Sequence, residues 1–127
     1  MRVIHAFVLG TLTGTMVAIG VVTAAELESD PVKLSPQLYK VRLENDRVRV
    51  LEYRLKPGDK EPMHSHPPGV VYVFSDANFR TTSADGSTSD GPSVAGEVHW
   101  RDFTTHAAEN IGKTEAHALA IELKSCR

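Results

Sequence analysis

Residues 39–66 read YKVRLENDRVRVLEYRLKPGDKEPMHSH. Two short apolar or β-branched runs, Tyr39–Leu43 and Val48–Leu55, are set off by turn formers. Asn45-Asp46 separates them and Pro57-Gly58 closes the second. This is the rhythm of an all-β chain. The stretch ends in His64-Ser65-His66. In extended backbone, residues two apart face the same way, so this spacing turns two imidazoles to one side.

The rhythm continues outward. Further strands are expected at Val70–Phe74, Ala77–Thr82, Glu97–Trp100, His106–Asn110 and His117–Leu123. Asp85-Gly86 suits a tight hairpin, and Ser83–Ser93 (SADGSTSDGPS) reads as a hairpin end or loop. Asp90-Gly91-Pro92 and Asn110-Ile111-Gly112-Lys113 mark further turns. His117–Leu123 (HALAIEL) has helix-favouring composition, but its alternation and its place in a strand series favour a strand. No helical period of useful length follows residue 25. Seven or eight short strands without helices imply a small barrel or two-sheet jelly roll.

Residues 1–25 (MRVIHAFVLGTLTGTMVAIGVVTAA) have a short positive start, an uncharged apolar run and small residues at Val22-Thr23-Ala24-Ala25. That is the pattern of a secretory signal, with a retained membrane anchor as the alternative. Gly10, Gly14, Gly20 and four threonines dilute the run, which favours cleavage and a periplasmic or secreted bacterial protein. Residues 26–37 read as a polar lead-in arm and residues 38–127 as one domain. The chain of 127 residues has 14 basic and 16 acidic side chains. Without Arg2, the one charged residue of the first 25, the balance is 13 basic against 16 acidic. A net negative domain does not bind nucleic acid through its phosphates and offers no polybasic membrane patch. The single cysteine, Cys126, cannot staple its own chain.

His106-Ala107-Ala108-Glu109-Asn110 enters another strand 40 residues after His66, and a barrel can bring it beside the first pair. Here the sequence resembles the cupin superfamily. Its first motif is a glycine, five residues and His-x-His, followed by a glutamate. Gly58, His64 and His66 match it. Gly96, His106 and Asn110 match the second motif, with one residue fewer between Gly96 and His106. The resemblance covers roughly Val41 to Leu123. It implies a double-stranded β-helix, that is, a jelly-roll barrel.

Two departures matter. The motif's glutamate falls at Val70 or Val71, which cannot bind a metal, and Arg101-Asp102-Phe103 replaces Pro-x-Gly. Some cupins lack that glutamate and hold a metal by three histidines, as cysteine dioxygenases and acetylacetone-type dioxygenases do. Others have lost the metal. The resemblance thus implies a divalent metal (Fe, Zn, Ni, Cu or Mn) on His64, His66 and His106. Three neutral ligands leave the ion's charge uncompensated, which favours a small anionic organic ligand and leaves coordination positions open.

Tyr72, His99 and Trp100 are candidate pocket residues. Strand parity sets Val71 and Tyr72 on opposite faces without saying which looks inward. His99 suits the rim and Trp100 a wall. Arg101 and Asp102 suit a solvated turn or the pocket mouth. Glu61 and Glu109 flank the histidines, as loop acids or as groups orienting an imidazole. Asn110 is a turn former, and His117 is surface or core. No Ser-His-Asp order, phosphate loop or general base stands out. Three readings follow. One is a dioxygenase-like metalloenzyme, another a non-catalytic ligand- or metal-binding and sensing module. The third is a structural all-β domain. A homodimer is expected.

Overall fold

The computed structural model describes residues 29–125. The expected signal segment, the first residues of the arm and Cys126 lie outside them. Among the described residues nine strands follow a helical turn: β1 (Tyr39–Glu44), β2 (Val48–Leu55), β3 (Lys60–His66), β4 (Gly69–Val73), β5 (Ala77–Ser83), β6 (Thr88–Ser93), β7 (Val98–Arg101), β8 (Thr104–Asn110) and β9 (Ala116–Leu123). They form two antiparallel sheets, ordered β1-β2-β9-β4-β7 and β3-β8-β5-β6.

β2 and β9 pair along their whole length, from Val48 opposite Leu123 to Leu55 opposite Ala116. β9 is therefore a central strand, and HALAIEL is extended despite its helical composition. Its alternation sends Ala116, Ala120 and Glu122 inward, where they are buried. The larger Leu119 and Ile121 face out. Small side chains on an inner face leave room, and the two sheets enclose a cavity of about 350 Å³ that Ala108, Ala118 and Ala120 border. Beside it, Tyr39, Leu51, Val71 and Ala120 form one apolar cluster, and Leu55, Ala77 and Ala116 another. Fully burying Leu51 and Leu55 contributes roughly 1.5–3 kcal/mol each.

Three expectations are corrected. The arm contains α1 (Pro31–Leu34), a turn packed on β3 and β1. Asp30 caps it, its Oδ1 accepting from Val32 N at 3.0 Å, and Pro31 sits where a missing N–H costs nothing. The stretch Ser83–Ser93, expected as a hairpin end or loop, turns at Asp85-Gly86 as a hairpin end but continues as β6, which pairs with β5. β6 is an edge strand, and an edge tolerates Gly91 and Pro92 because one side of its backbone needs no partner. β3 is a full strand although Lys60-Glu61-Pro62 shows no apolar alternation. At its entry Gly58 has φ +82°, a conformation that suits glycine.

Candidate metal centre

β3 and β8 are neighbours, and their register sets His64 opposite His106. His66 lies two residues on, on the same face. One nitrogen from each of the three rings lies within 4.8 Å of the others, and ring centroids are 4.6 to 5.5 Å apart. Imidazoles from two separated stretches thus converge inside the barrel, as the motif implies.

Hydrogen bonds fix how the first two rings point. His64 Nδ1 lies 2.8 Å from Pro62 O, and His66 Nδ1 lies 2.7 Å from Glu122 Oε1. Both partners are acceptors, so each Nδ1 carries the hydrogen and each Nε2 presents a lone pair. The two Nε2 atoms face each other at 2.8 Å. Tyr39 O–H, 3.3 Å from His64 Nε2, has one hydrogen and gives it to Glu61 Oε2 at 2.7 Å. Two facing lone pairs repel unless a positive centre lies between them. Bonds of about 2.1 Å to one ion would hold two nitrogens about 3.0 Å apart at a right angle and about 3.4 Å apart at the tetrahedral angle, a shift of a few tenths of an ångström from the observed spacing. The donor set therefore fits a divalent metal. Burial draws His66 down to about 4, against the pull of Glu122. Burial and the two neighbouring imidazoles draw His106 down to about 3. Both are neutral, the ligating form, at ordinary pH.

Behind the rings stands a charged layer that sequence reading missed in part. Glu122 is 1% exposed; its Oε2 accepts from Arg49 Nε at 2.8 Å and lies 2.8 Å from Nη2 in the same ion pair. Arg49 is also paired with Asp30 at 2.9 Å, which ties the arm to the site. Burial pushes the Glu122 carboxyl up, but His66 and Arg49 hold it below its ordinary range. A carboxylate that accepts from a ligating histidine sets the ring's tautomer and raises its basicity.

Glu61, which the sequence offers as a loop acid or as a group orienting an imidazole, is a buried acid beside His64. It is 5% exposed, accepts from Tyr39 O–H at 2.7 Å and Tyr53 O–H at 3.3 Å, and its Oε2 is 3.8 Å from His64 Nε2. Plain parity would put residues 61 and 64 on opposite faces. A register shift between them in the β3–β8 ladder restores both to the inside. Burial raises the Glu61 carboxyl above its ordinary range. Glu109, in contrast, pairs with Lys60 at 3.3 Å at the surface.

The pocket candidates divide. His99 borders the cavity from the rim. Tyr72 and Trp100 do not border it: Tyr72 is 37% exposed and Trp100 54%. The reason is parity. Val71 and Val73 face inward on β4, which turns Tyr72 out, and His99 and Arg101 face inward on β7, which turns Trp100 out. Trp100 Nε1 donates to Asp102 Oδ1 at 2.8 Å. Arg101, for which the sequence leaves a solvated turn or the pocket mouth open, is the last residue of β7 and borders the cavity. Asn110 is fully buried and closes the following turn, donating to Leu55 O and Thr114 O and accepting from Gly112 N. His117 faces out, 2.8 Å from Glu52 and stacked on Phe74.

This architecture is the cupin double-stranded β-helix fold, and its histidine cluster could hold a metal ion. Among solved structures, a cupin domain from Bordetella pertussis Tohama I is similar at 26% identity and TM-score 0.64, over 69% of this chain and 93% of that one. An RmlC-like cupin with a double-stranded β-helix from Methanocaldococcus jannaschii aligns at 12% identity and TM-score 0.54, over 68% and 78%. A Cupin 2 conserved barrel protein from Salinispora arenicola aligns at 17% and 0.53, over 72% and 80%. No protein-family model matches the chain, and no curated protein matches it.

Proposed function

We propose that this is an exported metallo-cupin that holds a divalent metal on His64, His66 and His106 and takes a small anionic organic ligand into the adjoining cavity. The carrying observation is the pair of Nε2 lone pairs facing each other at 2.8 Å, each fixed by an acceptor behind its ring. A bound metal would supply Lewis acidity or oxygen chemistry of the dioxygenase kind. The chain's own residues supply the rest. Glu122 orients His66. Glu61 is the carboxylate placed to accept a proton next to the histidines, with two phenols holding it in position. The cavity, near the lower end of the roughly 300–1,000 Å³ usual for small-molecule sites, limits the ligand to a small one.

Elemental analysis of the purified protein beside a His106→Ala variant tests the reading. Stoichiometric divalent metal in the wild type and little in the variant is expected. Equal metal in both, or none in either, defeats it. Oxygen uptake with a panel of small acids and thiols then separates the roles: turnover marks an enzyme, while retained metal without turnover marks a binding or sensing module.

A further inference from the structure

Arg101 is left without a hydrogen-bond partner when the polar groups around the histidines are matched up, although it feels the carboxylates of Glu122 and Glu61 through space. Arg49 is matched by Asp30 and Glu122. Glu122 spends one oxygen on Arg49 and the other on His66. Glu61 takes its hydrogen bonds from two tyrosines. Arg101 has Glu122 Oε1 at 3.7 Å from its Nη2, an ionic contact too long for a hydrogen bond. Its Nε and Nη2 are buried and have no hydrogen-bond partner among the described residues. The side chain is 18% exposed and borders the cavity.

Those two nitrogens form one edge of the guanidinium. Their N–H groups point the same way, the fork that accepts both oxygens of a carboxylate in parallel. Buried donors without acceptors are penalised, and a charged group more than a neutral one. The surroundings also carry a second instruction. Val71, Val73, Phe79, Ala108, Ala118 and Ala120 line the same cavity and would enclose a hydrocarbon body.

We infer that Arg101 is the anion-recognition residue of this cavity, and that its ligand is a small carboxylic acid with an apolar body. A rotation of the flexible side chain swings the fork from Glu122 toward the cavity, where the ligand's carboxylate completes its hydrogen bonding. The inference rests on the proposed ligand-binding role of the cavity, but it does not require the metal.

The test uses hexanoate and its neutral isostere hexanamide as probes, followed by NMR titration of the full chain with and without added zinc. Hexanoate should bind and hexanamide should bind at least about tenfold more weakly, because the amide keeps one acceptor oxygen but turns an NH2 donor toward the other N–H of the fork and carries no charge. Arg101→Gln should lose hexanoate binding by a similar factor while zinc affinity stays within about threefold. Arg101→Lys keeps the charge but not the fork, so it should bind hexanoate measurably more weakly than the wild type; this variant decides the matter if Arg101→Gln does not fold. Hexanoate bound equally by the wild type and both variants, or not bound by zinc-competent wild type, overturns the inference and leaves the metal reading standing. Arg101-dependent hexanoate binding in a protein that takes up no zinc sustains the inference and removes the metal.

Discussion

Replacing Glu122 by glutamine probes the layer behind the histidines with almost no change of shape. The carboxylate is 1% exposed, accepts from His66 Nδ1 at 2.7 Å and from Arg49 Nε at 2.8 Å, and is ion-paired with Arg49 Nη2 at 2.8 Å. Glutamine keeps one acceptor oxygen and puts an NH2 group where the other was. Either His66 or Arg49 then faces a donor, and the negative charge between Arg49 and Arg101 is gone. A hydrogen bond to a charged group is worth about 1.5–3 kcal/mol, and breaking a buried pair from one side about 3–5 kcal/mol. Arg49 keeps Asp30, so the lower end applies: a loss of about 3 kcal/mol in the metal-free protein, read by urea denaturation. Zinc affinity, read by competition with a chromophoric chelator, should fall about 10- to 100-fold because the His66 ring loses its orienting acceptor. A variant within about 0.5 kcal/mol of the wild type, the range of ordinary surface substitutions, with unchanged zinc affinity would refute the reasoning.

Acid should weaken the metal-free protein. The unfolded chain protonates histidine near 6.5, whereas folded His66 waits until about 4 and His106 until about 3, so stability present above pH 6.5 is lost as pH falls through that window. His66 alone accounts for about 2 kcal/mol by pH 5; Glu122 acts in the same direction at lower pH, Glu61 in the opposite one. Urea midpoints that do not change between pH 7 and pH 5 would contradict this. Gly69→Ala should destabilise by about 2–4 kcal/mol, since a Cβ there lies 2.1 Å from Ile121 O and must push β4 from β9; a neutral effect in thermal unfolding would count against the β4–β9 register. The outward face carrying Tyr72, Val98 and Trp100 motivates the expected homodimer, so Trp100→Lys should shift sedimentation toward monomer, and a wild type already monomeric would remove that expectation.

Most of the strands and all three histidines were legible because they rest on local signals: turn residues, alternation and a motif of fixed spacing. What escaped or stayed open was set by context. Glu61 looks like any acid in a polar stretch, and only the register shift before His64 brings it inside. Glu122 lies on the face of β9 that holds its small residues, and hydrophobicity alone gives no reason to turn Leu119 and Ile121 outward. Arg101 stands where the family has a tight turn, so the sequence left it between a solvated turn and the pocket mouth; β7 runs one residue further and points it at the cavity. Tyr72 and Trp100 were candidates because the sequence fixes parity along a strand but not which face is the inner one. β6 stayed hidden because an edge strand needs no apolar face and tolerates proline.

X-ray absorption at the metal edge of the loaded protein bears most directly on the central claim. Three imidazole nitrogens around one ion are expected in the wild type, with one lost in His106→Ala. An ion bound by fewer than three imidazoles, or a spectrum that the substitution leaves unchanged, would contradict it.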